Sequence, residues 1–225
     1  MYAVAIDGPA GAGKSTISRV AAQKLGFLYV DTGALYRAVA YDILQNGIDP
    51  NDSCAVCKRL DSITVGFGYE NDNQQIYLNG NNITEKIRTP QVSAAASTVS
   101  AIPEVRRFLF SQQQDIAQEN NIIMDGRDIG TVVLPNAQVK IYLTAAEEER
   151  ARRRFAELQK KGTAIHFEEV RAEVKLRDKN DMNRPVAPLR QAPDAVLVDT
   201  SHLDFDQSVQ AVLSVIEERI GLKRK

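Results

Sequence analysis

The chain has 225 residues, of which 44% are hydrophobic and 25% charged, with a formal net charge of −1. That is the balance of a globular chain of about one α/β domain plus a satellite, and it argues against a broad basic surface for nucleic acid. No apolar run reaches the roughly 18 residues that span a bilayer, and the N-terminus lacks the basic and apolar regions of a secretory signal, so a cytoplasmic chain with no nucleic-acid or membrane partner is expected.

In chain order, Tyr2 to Asp7 is a short apolar run that breaks at Gly8 and reads as a buried strand. Lys14 to Leu25 has helical spacing and stops at Gly26; Phe27 to Val30 is a second strand, and Gly33 to Asn46 a second helix with Gly47 just past its end. Strand, helix, strand, helix implies a parallel sheet with helices on its faces. Asn51 to Leu60 looks helical and holds Cys54 and Cys57. Their C-x-x-C spacing invites zinc, but the only histidines, His166 and His202, stand far away and far apart, so two semi-buried helix residues are expected.

The middle of the chain changes character. Ile63 to Leu78 alternates β-prone residues, and Asn79-Gly80 reads as a tight turn, so residues 61–100 form an inserted small β or α+β unit. A long helix follows, with Pro103 near its start and its end near Asn120. Ile122 to Met124, Val139 to Leu143 and Val196 to Val198 are further strands. Two charged helices, about Ala146 to Lys161 and Phe167 to Lys179, lie between the last two strands. A final helix, about Asp206 to Ile220, precedes the tail Lys223-Arg224-Lys225.

Gly8-Pro9-Ala10-Gly11-Ala12-Gly13-Lys14-Ser15-Thr16 matches G-x-x-x-x-G-K-[ST], with a strand before it and a helix after it. The glycines let successive N–H groups turn inward as an anion nest, and the helix N-terminus adds partial positive charge. Lys14 can reach the β- and γ-phosphates, and the Ser15 hydroxyl can ligate Mg²⁺. The loop by itself says nucleotide binding and no more. A guanine-reading N-K-x-D is absent; Asp178-Lys179-Asn180-Asp181 has the letters in the wrong order.

Asp31-Thr32-Gly33-Ala34-Leu35-Tyr36-Arg37 closes the second strand, and Asp125-Gly126-Arg127-Asp128 closes the third. In a doubly wound sheet the strand C-termini face the ligand crevice. Either arginine alone would more often be a surface ion-pair residue; both at strand ends beside a phosphate loop point to a second phosphate, which a guanidinium fork holds with two bonds. Arg177, Asp181 and Arg184, at i, i+4 and i+7, share one helix face, and Pro185 puts Arg184 at a helix-to-loop junction.

With these segments in order, and with Ile87-Arg88-Thr89, Ser97, Arg106 and Asn183-Arg184-Pro185-Val186-Ala187-Pro188-Leu189, the chain resembles the bacterial-type cytidylate kinase family across nearly its whole length. Thr32 stands where other members carry Ser, and the hydroxyl is kept. The resemblance implies a P-loop kinase core, residues 1–60 and 101–225, built on a five-stranded parallel sheet, with a helical lid near 150–180 and the 61–100 unit for the acceptor. It implies Mg-dependent transfer from ATP to CMP or dCMP by a monomer. Lys14, Arg127, Arg177 and Arg184 would be catalytic, and the loop from Gly8 to Thr16 would hold ATP. Ser97, Arg106 and Asp128 would read cytosine, and Arg37, Arg127 and Arg184 the acceptor phosphate. Asp181 would bond the ribose, with Thr32, Tyr36 and Arg177 in the pocket, and Ser15 and Asp125, the latter through water, would hold Mg²⁺. Cytosine offers an amine donor and O2 and N3 acceptors, which suits an aspartate and an arginine; uracil inverts part of that pattern. Arg150, Arg153 and Arg154 would belong to the lid, one of them approaching ATP. Rival readings are another small kinase on the same scaffold and a non-catalytic nucleotide switch; a switch has no need for a second phosphate pocket.

Overall fold

The structure is a computed structural model that describes residues 1–71, 73–160 and 162–221. The described chain makes two compact bodies, one of Val30–Asn120 and one of Tyr2–Tyr29 with the residues from Asn121 onward.

The second body is built on a five-stranded sheet. The sheet's strands are β1 (Ala3–Asp7), β2 (Leu28–Asp31, whose last two residues are counted with the other body), β6 (Ile122–Gly126), β7 (Val139–Thr144) and β8 (Val196–Asp199), in the order β2-β6-β1-β7-β8. β1 pairs parallel with β6 and β7, and β7 parallel with β8. β1 is central and nearly all buried, which is why Ala3-Val4-Ala5-Ile6 reads as continuous apolar rather than alternating. Val4, Ile6, Ile123, Ile141 and Leu143 share a core with Ile17 and Ala21 of α1 (Lys14–Leu25) and Val209, Val212 and Ile216 of α8 (Phe205–Ile220). Both helices end on a glycine in the left-handed region, Gly26 and Gly221, as C-terminal glycines do.

Two further helices of this body, α6 (Glu147–Lys160) and α7 (Phe167–Asn183), pack through Leu158, Val170 and Val174, with Phe155 edge-on to Phe167. α7 runs four residues past the expected end at Lys179, because nothing before Pro185 breaks it. The expected end of α6 at Lys161 and the basic tail at 223–225 lie outside the described residues.

In the first body the chain runs through α2 (Thr32–Gln45), α3 (Ser53–Leu60), a three-stranded antiparallel sheet of β3 (Val65–Glu70), β4 (Asn73–Leu78) and β5 (Asn81–Asn82), α4 (Pro90–Val99) and α5 (Pro103–Glu119). The Asn79-Gly80 turn joins β4 to β5 with both residues at positive φ, 49° and 77°, which only such a pair adopts cheaply. α4 had no distinct signal beyond an α+β expectation; Thr89 caps its start and Pro90 opens it. Leu35, Val39 and Ile43 of α2 and Val105 and Leu109 of α5 bury together with Val65, Ile76, Val92 and Val99. The compact body is therefore wider than the 61–100 segment that its composition marks out. Cys54 is exposed and Cys57 half-buried, a correction for Cys54: α3 turns Val56 and Leu60 inward and carries Cys54 on its open side.

Candidate active site

β1 delivers the chain to the phosphate-binding loop. Gly8 has φ 152°, and a Cβ there would overlap the Leu143 carbonyl oxygen, so only glycine lets the loop leave the sheet this close to β7. Gly11 and Gly13 also lie at positive φ. Gly13 caps α1 with no side chain of its own, which leaves the first-turn amides of α1 to an anion. Lys14 is buried and donates to the Pro9 carbonyl at 2.8 Å. Burial, and then the positive charge of Arg127, push its pKa down to about 7.

The loop is joined by the end of β6. Asp125 is buried and accepts from Ser15 Oγ at 3.0 Å and from Tyr29 hydroxyl at 2.7 Å. A hydroxyl and a carboxylate in contact are oxygen donors of the kind magnesium takes. Among the described residues there is no cluster of three or more His, Cys, Asp or Glu side chains that would cage a metal.

Past Asp125 the backbone enters a short π-helical turn, Ile129–Val133. Its first amides are held from β1: Asp7 accepts from Ile129 N at 2.7 Å and Gly130 N at 2.8 Å. Burial raises Asp7 to about 6 against the pull of those two amides. Sequence reading missed Asp7; a carboxylate at the end of a buried strand was the available signal.

The arginines here are held by carboxylates. Arg127 donates to Asp181 at 2.7 Å and Arg184 to Asp128 at 2.9 Å. Burial alone would raise Asp181, but Arg127, Arg177 and Arg184 together hold its carboxyl below the usual range. Arg184 closes α7 in extended backbone, φ −62° and ψ 141°, at the junction expected from Pro185. It also donates to the carbonyl of Ala187, a non-glycine residue at φ 49°. The half-buried Arg177 lies near enough to act on both Lys14 and Asp181.

The basic run of α6 divides. Arg150 is buried and bonds the Ala145 and Ala10 carbonyls and Asp178. Arg153 reaches Glu149 and Thr200, and Arg154 pairs with Glu157. Arg152 pairs with Glu148 on an exposed face. Arg150 and Arg153 thus both reach the phosphate loop, at the carbonyls of Ala10 and Ala12, while Arg154 turns to Glu157.

In the Val30–Asn120 body, Asp31 caps α2 by accepting from Ala34 N and takes Arg37 at 2.8 Å. Burial opposes ionisation of Asp31, but Arg37 and Arg88 outweigh it and hold its carboxyl low. Thr32 opens α2 and is buried. Arg106 lies over the Tyr36 ring, 5.6 Å from its centroid, and donates to the Ser100 carbonyl. Ser97 Oγ is buried and makes no hydrogen bond.

A parallel α/β sheet whose central strand feeds a phosphate loop, with a buried lysine beside arginines held by carboxylates, defines a P-loop phosphotransferase. A cytidylate kinase family profile matches residues 4–218, and the chain belongs to that family. It is 50% identical over 212 residues, 94% of each chain, to a cytidylate kinase of Caldicellulosiruptor bescii. It is 49% identical to one of Carboxydothermus hydrogenoformans, over 95% of this chain and 96% of that one, and 47% identical to one of Lactiplantibacillus plantarum, over 96% and 95%. The fold is shared with an uncharacterized protein from Eubacterium ventriosum, at TM-score 0.54 and 12% identity over 97% of this chain and 99% of that one. Among the described residues no helix is long and apolar enough to cross a membrane.

Proposed function

We propose that the chain transfers the γ-phosphoryl group of ATP to CMP or dCMP, giving ADP and CDP or dCDP. The observation that supports the reading is the buried Lys14, with Asp125, Arg127, Arg177 and Asp181 near enough to act on its charge. Family membership supports the same acceptor.

The loop amides from Gly8 to Thr16 and Lys14 would take the ATP phosphates. Ser15 and Asp125 would hold Mg²⁺, the latter through water, and the ion would offset charge on the transferring group. Thr32, Tyr36, Arg37, Ser97, Arg106, Arg127, Asp128, Arg177, Asp181 and Arg184 would bind CMP. A phosphate monoester has a second pKa of about 6, so near pH 7 the acceptor is already largely dianionic and needs no strong base. The residues' work is then to draw two anions together and stabilise the charge that develops. The carboxylates of Asp31, Asp128 and Asp181 hold Arg37, Arg184 and Arg127 in place beforehand, so the guanidinium groups need less ordering when phosphate arrives. Arg127, Arg177 and Arg184, with Lys14, are the catalytic set, and closure of the lid would exclude water that otherwise takes the phosphoryl group. The two nucleotide substrates support a cytoplasmic site of action.

The test is ADP release from ATP and Mg²⁺ against a panel of monophosphates. CMP- or dCMP-dependent release, weak with AMP, GMP and UMP, is the expected result. Turnover with UMP or AMP at least as fast would overturn the acceptor, and ATP hydrolysis without an acceptor as the main activity would overturn the transfer itself.

A further inference from the structure

The Pro9–Ala10 peptide of the phosphate loop is gripped on both edges. Its carbonyl accepts from Lys14 Nζ at 2.8 Å, and its N–H donates to Asp178 Oδ1 at 3.1 Å. Asp178 is held in turn by Arg150, whose Nη1 lies 2.6 Å from Asp178 Oδ2 and 2.8 Å from the Ala10 carbonyl oxygen. Arg150 Nε donates to the Ala145 carbonyl at 2.8 Å, which anchors the guanidinium at the foot of α6. Both polar groups of Ala10 are therefore committed to one ion pair. The two side chains are only 8% and 12% exposed.

A buried ion pair of this kind recovers little net stability, because desolvating two charges offsets most of their attraction. Its geometry here serves another end. A trans peptide is planar, so fixing the N–H of Ala10 fixes the direction of the Pro9 carbonyl, and that carbonyl is the partner of Lys14. The fit is close on the next residue too: a Cβ on Gly11 would stand 3.0 Å from the Arg150 carbonyl oxygen and 3.1 Å from its Cβ. The first turn of α6 is thus pressed onto the loop at the point where the ion pair holds it.

We infer that Asp178 and Arg150 are positioning residues for ATP: the pair sets the Pro9–Ala10 peptide and so holds the loop and Lys14 in the shape that receives the donor phosphates. The inference rests on the kinase reading but concerns the donor side alone, so Arg150 is a support of the loop rather than an arginine reaching for ATP. Asp178→Ala removes the grip; Asp178→Asn still accepts from Ala10 but no longer neutralises Arg150. The expected result is ADP affinity and KM for ATP weakened about tenfold or more in Asp178→Ala, since small misplacements of a positioned group cost factors of that size. Asp178→Asn should fall between Asp178→Ala and wild type, and KM for CMP should stay within about twofold in both. ADP binding by Asp178→Ala within about twofold of wild type, with only the melting temperature lowered, would overturn the inference and leave the pair a scaffold contact. Should that variant not fold, hydrogen exchange of the Ala10 amide in the nucleotide-free wild type decides: slow exchange is expected of an amide held by Asp178, and exchange at the rate of an open loop overturns the inference. Wild type that binds ADP but releases none from ATP in response to CMP would strike the kinase reading instead, and the amide and ADP measurements would still stand.

Discussion

On the proposed function, the phosphate loop and the arginine groups would meet the same task, an anion, with opposite devices. From Gly8 to Ser15 the chain uses backbone amides, positive-φ glycines and one lysine, and burial pushes that lysine down to about 7. Arg37, Arg127 and Arg184 each carry a fixed charge, and each is held by a carboxylate: Asp31, Asp181 and Asp128. An arginine cannot shed its proton, so a buried one needs a counter-charge; a lysine can, so its charge is conditional on pH and on the phosphate it meets. The lesson is that the donor side is preorganised by backbone shape and the arginine side by paired side chains. The two should fail in different ways.

The largest difference lies in Lys14. Lys14→Ala removes a buried charge that the fold disfavours, so it should lower kcat/KM by on the order of 10² or more while leaving the melting temperature unchanged or higher. A thermal melt beside steady-state kinetics checks both halves, and near wild-type turnover would refute the donor role.

Asp128 should behave in the contrary way. Asp128→Asn leaves Arg184 in a buried site without its carboxylate, so stability should drop. If Asp128 also accepts from the cytosine amine, the ratio of kcat/KM for CMP over UMP should fall by roughly 1–3 kcal/mol. An unchanged ratio with lowered stability would assign Asp128 to holding Arg184 alone.

The sharpest contrast is pH. Between about 7 and the ordinary 10.5 of a lysine, the folded protein holds fewer protons at Lys14 than the unfolded chain does. The stability cost of burying its charge is therefore full below pH 7 and is relieved as pH rises toward 10.5. Activity should run the other way, because the ammonium form serves the phosphates: kcat/KM for ATP should decline above about pH 7, by up to about tenfold per unit. Lys14→Arg, always charged, should lack that limb whatever its absolute rate. A wild-type profile flat from pH 7 to 9 would mean that Lys14 stays charged in the free protein.

How much of this was legible in the residues follows from how far each contact reaches along the chain. The loop from Gly8 to Thr16, the Asn79-Gly80 turn and the extended backbone at Arg184 before Pro185 rest on neighbouring residues, and they appear where spacing puts them. So do most strands and helices, since periodicity is local. For the run Arg150, Arg153, Arg154, helical spacing says which residues share a face but not which partners come to meet them. The bond from Asp7 to Ile129 and Gly130 spans 122 and 123 residues, and that from Ala10 to Asp178 spans 168. Tyr29 gave no signal at all, a mid-strand tyrosine that finds Asp125 across 96 residues.

By itself, then, the sequence determined the fold class, the phosphate loop and the residue types that suit a second phosphate, because those depend on dihedral preference, apolar period and side-chain chemistry. Tertiary structure alone decided the pairing: Arg127 with Asp181, Arg184 with Asp128, and Arg150 with Asp178 and the loop. The physical reason is that a charge in a dry interior is satisfied by whichever opposite charge packing brings within hydrogen-bond reach, and packing is a property of the whole fold.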